Sequence, residues 1–271
     1  MIKTIPIINN KGGVGKTTTT VNLAAGLGRA GRRVLVVDLD SQGSASFALG
    51  IDRDDLTPST AAVLFDEHSA REVVRSTPTE NVDILTGSMR LADADTRLSR
   101  VEEREKRLAQ SLSDLSKAYD TILIDCAPST SLLTINALVA ADAFIIPVAP
   151  SYLSLEGVVS LGEVVRNVRM NLGEAAPVLG VLLTMVQRDD EQTRTIMSEV
   201  RSHYGGKVFD TEIRSDAPIE RAPTLGKSIF EYAPDSQGAS DYQAVVDEVL
   251  DRLDRYGDVY GTVRAKQPER A

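Results

Sequence analysis

Short, nearly unbroken runs of apolar and mostly β-branched residues recur along the chain: Ile2–Ile8, Val34–Val37, Val82–Leu85, Thr121–Ile124, Phe144–Val148, Val178–Met185 and Val208–Ile213. Runs that are continuous rather than alternating predict strands buried on both faces. Helix-length segments lie between them. Thr17–Ala30 begins at a glycine-rich loop and stops before Gly31, and Val101–Lys117 carries its charges on an outer face. Glu191–Tyr204 places Ile196, Val200 and Tyr204 four apart on one helical face. This alternation predicts an α/β fold: a doubly wound, mainly parallel sheet with helices on both faces. Residues 1–256 read as a single domain, Ile51–Ser99 as a surface helical insertion within it, and 257–271 as a polar, fraying C-terminal tail.

Composition narrows the picture. With 271 residues, 42% of them hydrophobic, the chain has ample apolar surface for one large domain. One cysteine and two histidines leave neither a disulfide framework nor a His/Cys metal cluster. Cys126 reads as a small, partly buried residue in a reducing compartment. The start MIKTIPII lacks a charged leader and a long apolar run, and no stretch reaches the ~18 apolar residues of a membrane span. A soluble cytoplasmic chain is the expectation. The net charge of −9 argues against a surface that coats nucleic acid all round, so any DNA contact needs a local basic patch. No tryptophan and 4% aromatics disfavour a base-stacking platform.

The first apolar run leads straight into Gly12-Gly13-Val14-Gly15-Lys16-Thr17, and a helix pattern follows. Glycines allow consecutive backbone N–H groups to converge on phosphate oxygens, and the helix start aims its positive end at the same anion. In this P-loop NTPase arrangement Lys16 reaches the β- and γ-phosphates, Thr17 Oγ1 binds Mg²⁺ and Thr18 helps hold the α-phosphate. Two other strand runs end in carboxylates: Asp38 with Asp40, and Asp125, which is placed to order Mg²⁺ through water. Either could be a turn cap taken alone. Three such strand ends in one chain point to adjacent strands around a single site.

Lys11-Gly12-Gly13-Val14-Gly15-Lys16-Thr17-Thr18, Val37-Asp38-Leu39-Asp40-Ser41-Gln42-Gly43 and Ile124-Asp125-Cys126 resemble the deviant Walker A ATPases of the ParA/MinD family. LLTINALVAADAFIIPV and GVLLTM are similar to the ParA (Soj-like) chromosome and plasmid partition branch, and the likeness spans about residues 1–250. The resemblance implies an ATPase that uses ATP and Mg²⁺. It gives the second loop lysine, Lys11, a role in trans: contact with the ATP of the other subunit in a nucleotide-sandwich homodimer, stabilising charge on the transferred phosphoryl group. It makes Asp40 the residue that orients the attacking water. Asp38 is left between two roles, the second coordination sphere of Mg²⁺ and loop scaffold.

The resemblance further implies an ATP-bound dimer that binds double-stranded DNA without sequence preference, associates with the nucleoid, and is released when a ParB-type centromere-binding protein stimulates hydrolysis. Candidate cations for the phosphate backbone are Arg188, Arg194, Arg201, Lys207, Arg214, Arg221 and Lys227. One departure stands out: where Soj-like chains read I-P-R-N-V-R-L-S-E-A-P, this chain has Ile213–Pro223, with Pro218 in place of a DNA-contacting arginine. Arg214 and Arg221 flank that position. The same loop borders the adenine in the family, so Arg214 and Asp216, with Met185, are also nucleotide-binding candidates, and the sequence does not choose between the two roles of Arg214.

Other readings are weaker. A MinD-like, membrane-recruited ATPase needs a C-terminal amphipathic helix, whereas Asp247–Tyr256 is acidic and no membrane partner is expected. A bacterial tyrosine kinase would carry clustered C-terminal tyrosines; only Tyr256 and Tyr260 are offered, and no arginine follows DLDSQG. A nitrogenase-iron-protein role fails because one cysteine per subunit cannot hold a four-thiolate cluster between two subunits. An ATP-gated positioner of a protein cargo stays open, on the acidic balance and Pro218. An operator-binding helix-turn-helix ahead of Ile2 is not expected.

Overall fold

Seven strands form one sheet in the order β3-β4-β2-β5-β1-β6-β7. They are β1 (Thr4–Ile7), β2 (Val34–Leu39), β3 (Arg75–Ser76), β4 (Val82–Leu85), β5 (Thr121–Cys126), β6 (Phe144–Val148) and β7 (Val178–Leu183). All pairings are parallel except that of β3, which closes the edge antiparallel to β4. The computed structural model describes residues 4–115, 117–172 and 176–264, with 152–160 and 256–264 followed as backbone only.

The helices are α1 (Lys16–Arg29), α2 (Ser44–Ala48), α3 (Thr60–Leu64), α4 (Ala70–Val73), α5 (Ala94–Leu98) and α6 (Arg107–Leu112) in the first half of the chain. The second half adds α7 (Leu132–Ala140), α8 (Tyr152–Leu172), α9 (Glu191–Tyr204), α10 (Ala217–Arg221), α11 (Ile229–Tyr232) and α12 (Gln237–Arg264). Successive strand residues point to opposite faces, so β2 divides its side chains between two cores. Val34 and Val36 pack with α1, α11 and α12, while Leu35 and Val37 pack with α3, α6, α7, α8 and α9. Each fully buried aliphatic side chain contributes roughly 1.5–3 kcal/mol relative to exposure. This two-sided burial is why the strand runs are continuous in hydrophobicity.

Four expectations change. Val208–Ile213 is not a strand: isolated parallel bridges join Val208 to Val181 and, one residue past the run, Arg214 to Val186. The N–H groups of Asp210 and Thr211, which would continue a ladder, donate instead to the Glu248 carboxylate of α12 at 3.0 Å each. Val101–Lys117 is not one helix. It breaks into two 3-10 turns around α6, with Glu103 at φ 51° and Leu108, Leu112 and Leu115 as its buried residues. Residue 116 lies outside the described residues.

Ile51–Ser99 is no surface insertion, because it supplies β3 and β4 and buries Ala61, Val63, Leu64, Ile84 and Leu85 in the two cores. The backbone of α12 stays helical to Arg264, past the expected boundary at 256, while 265–271 and the first residues of the first strand run lie outside the described residues.

Candidate functional site

The site forms where the C-terminal ends of β1, β2 and β5 meet. These strands are neighbours, with Ile7 opposite Asp125 and Asp38 opposite Asp125 in register. After β1 the chain enters a loop whose Gly13 and Gly15 have φ of 71° and 80°, the left-handed region that other residues reach only with strain. A Cβ on Gly13 would meet nothing within 4 Å, so the loop is a turned backbone facing open space. Helix α1 starts at once from Gly15, and its first N–H groups have no partners within the helix. Thr184, just beyond β7, braces the loop by donating to Val14 O at 3.0 Å.

Both loop lysines are fixed. Lys16 is buried and its Nζ donates to Lys11 O at 2.7 Å. Burial lowers the Lys16 pKa, with the Asp125 charge opposing the shift. Lys11 lies at the rim, half-buried; its Nζ donates to Ser151 Oγ at 3.1 Å and its N–H to Asn9 Oδ1 at 3.0 Å. Buried Asn9 in turn donates from Nδ2 to Pro147 O at 2.7 Å, which ties the loop to the end of β6.

The carboxylates form a layered set. Asp125 is fully buried and accepts from Thr17 Oγ1 at 2.7 Å and from Thr20 Oγ1 at 3.1 Å. Asp38, also fully buried, accepts from the Asp40 N–H at 3.0 Å through Oδ1, and through Oδ2 from the Ser46 N–H at 2.9 Å and hydroxyl at 2.7 Å. Asp40 stands one residue past β2, half-buried, and its Oδ1 accepts from the Gln42 N–H at 2.9 Å. Burial pushes both the Asp38 and the Asp125 carboxyl above the ordinary range. The neighbouring Asp38 charge adds to the shift of Asp125, and the Ser46 bonds pull Asp38 partly back. The Cys126 thiol is driven well up by burial and then by Asp125, so it stays protonated beside the site.

The Thr17 hydroxyl beside the Asp125 carboxylate is a pair of oxygen donors that suits a hard divalent cation, and the turned glycine loop with Lys16 suits phosphate. The residues therefore fit a nucleotide with its metal.

Sequence reasoning missed several positioning groups. Gly87, just past β4, is held by its N–H to Ser46 Oγ at 3.0 Å. A Cβ there would lie 2.4 Å from Asp40 O and 2.7 Å from Asp38 Oδ1. The signal was a glycine following the apolar run Val82–Leu85, at the sheet edge where the carboxylates cluster. Thr20 was legible as the residue one helical turn beyond Lys16. Ser46, Asn9 and Ser151 had no local signal.

Met185 is 46% exposed at φ 55°, and its Cε is 3.9 Å from where a Gly15 Cβ would stand, so it borders the loop. Thr18 is half-buried on the first turn of α1, and its carbonyl accepts from Asn22 Nδ2 at 2.8 Å. Arg214 pairs with Asp241, and Asp216 accepts from the Gly238 N–H at 2.7 Å, which pins their loop to the start of α12. Of the other basic candidates, Arg188 and Arg201 both pair with buried Glu212, and Arg194 donates to Arg188 O at 2.7 Å. Lys207, Arg221 and Lys227 are exposed.

A glycine loop between an inner strand and a helix, with carboxylates at the ends of the next two strands of the sheet, β5 and β2, defines a P-loop nucleotide-hydrolysing fold. Residues 2–176 match the AAA domain family. The sporulation initiation inhibitor protein Soj of Bacillus subtilis is 41% identical over 249 residues, 92% of this chain and 98% of that protein. The chromosome partitioning protein ParA of Myxococcus xanthus is 37% identical, over 92% of this chain and 88% of that protein.

Among solved structures, cobyrinic acid a,c-diamide synthase from Mycobacterium smegmatis with bound ADP and magnesium superposes with a TM-score of 0.82 at 30% identity, covering 94% of this chain and 96% of that one. The septum site-determining protein MinD from Pyrococcus horikoshii, complexed with Mg-ADP, gives 0.77 at 28% identity over 92% and 96%. The chain belongs to the ParA/MinD family of P-loop ATPases, and its function is of the ParA type. No described helix is long and apolar enough to cross a membrane.

Proposed function

We propose that this chain is a DNA-partition ATPase whose ATP-bound form is a sandwich dimer that binds duplex DNA without sequence preference and lets go on hydrolysis. ATP is the substrate and Mg²⁺ its metal. Thr17 holds the metal directly and Asp125 through water, and the bound cation supplies positive charge against the phosphoryl oxygens. Gly12, Gly13, Val14, Gly15, Lys16 and Thr18 cradle the phosphates. Asp40 orients the attacking water, and Asp38 is the scaffold that fixes it, through the Asp40 N–H and Ser46. Lys11 acts on the partner's nucleotide, so dimerisation needs the γ-phosphate that ADP lacks. A ParB-type protein stimulates turnover.

The observation that carries this reading is the pair of loop lysines in two different settings. Lys16 is sealed against its own loop, whereas Lys11 is held at the rim by Ser151. The similarity to Soj and ParA over nine-tenths of the chain supports it. The test is binding to long duplex DNA of random sequence, with ATP and with ADP, across a salt series. Binding that needs ATP and weakens steeply with salt is the expected result. A protein cargo in place of DNA is the second reading, favoured because Arg188, Arg201 and Arg214 are already paired with carboxylates. ATP-dependent dimerisation with no DNA binding would select it.

A further inference from the structure

Three surface grooves differ sharply in charge. One of about 500 Å³, between α7 and α8, is lined by Glu105 and Glu163 and by no cation. One of about 380 Å³, against α12, sets Arg201, Lys207, Arg252 and Arg255 beside Asp210, Glu248 and Asp251. Its cations are largely neutralised, Arg252 by Glu248, Arg255 by Asp251 and Arg201 by Glu212. The third, of about 420 Å³, lies between the C-terminal half of α8 and the turn after α9. It is lined by Arg166, Arg169 and Lys207, with Val165, Pro177 and Val178 beneath, and by no carboxylate among the described residues.

We propose that this third groove is where the phosphate backbone of duplex DNA rests. The proposal depends on the DNA reading given above and names its surface. Arg166 and Arg169 are three residues apart on α8 and so share one helical face, while Glu163 and Asn167 line the acidic groove instead. All three cations are exposed, and among the described residues none of them is in an ion pair. Cations gathered around one concavity with no carboxylate among the described lining residues repel one another, and a polyanion relieves that repulsion. Long, exposed basic side chains on apolar floors suit a repeating phosphate chain, which is held by charge rather than by base pattern.

By contrast, three cations singled out from the sequence are held by carboxylates, Arg188 and Arg201 by Glu212 and Arg214 by Asp241. Arg221 and Lys227 are exposed but stand apart on α10 and beyond the turn that follows it, with Glu220 beside Arg221. Of the sequence candidates only Lys207 belongs to the groove, and Arg166 and Arg169 are new.

The test uses the full chain, a long random-sequence duplex, Mg-ATP or Mg-ADP and a salt series. Arg166→Gln/Arg169→Gln/Lys207→Gln is expected to bind DNA at least about tenfold more weakly with ATP. Its slope of log affinity against log salt should fall by about 3 for each protomer in contact. ATP-dependent dimerisation and DNA-free hydrolysis should be unchanged, and Arg166→Lys/Arg169→Lys/Lys207→Arg should bind as the wild type does. The proposal is overturned if the triple glutamine variant binds normally while Arg221→Gln/Lys227→Gln does not, which leaves the DNA reading standing. It is also overturned if the wild type dimerises with ATP but ignores DNA, when the DNA reading falls with it. Groove-dependent binding to phosphatidylglycerol vesicles in place of DNA would overturn it too.

Discussion

The centre of the sheet and the basic residues of its outer layer hold charge in opposite ways. At the ends of β2 and β5, two fully buried carboxylates lie side by side, and every oxygen is met by a hydrogen bond from fixed backbone or a short hydroxyl. In the outer layer, Arg188 is 63% exposed and pairs with Glu212, and long side chains reach partners across solvent. Buried charge is expensive to leave unmatched, so the centre admits little variation in geometry. Exposed pairs are worth at most about 1 kcal/mol and can be rearranged freely. Chemistry is therefore expected to be fixed at the first region and adjustable at the second.

The sharpest break would come at Asp40. Asp40→Ala should leave ATP binding and dimerisation in place but slow hydrolysis by on the order of 10²-fold or more in single-turnover assays. Normal turnover would remove Asp40 from the reaction. Next is Gly87→Ala, which drives a methyl group toward Asp40 O and Asp38 Oδ1. A loss of roughly 1–3 kcal/mol in denaturant melts is expected, together with slower hydrolysis if Asp40 orients the water as proposed.

A smaller effect is expected from pH. Asp38 and Asp125 have pKa values raised by burial, so the nucleotide-free folded protein keeps protons that the unfolded chain releases. Stability should then fall as pH rises from the ordinary carboxylate range towards neutrality. Asp125→Asn should flatten that fall in melting curves taken from mildly acidic to mildly alkaline pH; an unchanged slope would show that the buried pair is not its source. Smallest of all, Arg188→Ala should shift stability by no more than about 1 kcal/mol, because Arg188 is itself exposed and Arg201 still pairs with buried Glu212. A larger loss would mean that Glu212 depends on it, and that the outer layer is as constrained as the centre.

The same contrast explains what the sequence disclosed. Strands β4 and β6 and helix α9 were legible to the residue, because each is bounded by turn residues and patterned by burial on one or two faces. The loop from Lys11 to Thr18 and the strand-end carboxylates Asp38 and Asp125 were legible because backbone turning and buried charge demand particular residue types at fixed spacings. Asp40 read as a strand end together with Asp38 and stands one residue past β2, and the Gly87–Ser46 contact beside the pair was not readable, since it joins segments some forty residues apart in the chain. Val208–Ile213 read as a strand because its apolar pattern is right; a carboxylate from α12 takes the hydrogen bonds that a ladder would need. The surface cations were the least legible. Nothing in the spacing of Arg188, Arg201 or Arg214 announces Glu212 or Asp241, and Arg166 and Arg169 become a groove only when α8 packs beside the turn after α9.

The central claim is that Lys11 acts across a dimer that only ATP can close. Light-scattering mass of the wild type and of Lys11→Ala, each with Mg-ATP and with Mg-ADP, tests it most directly. The account predicts that the 29.2 kDa wild type doubles in mass with ATP and not with ADP, while Lys11→Ala binds ATP and stays monomeric. A wild type that remains monomeric with ATP, or a Lys11→Ala protein that dimerises and hydrolyses like the wild type, would contradict it.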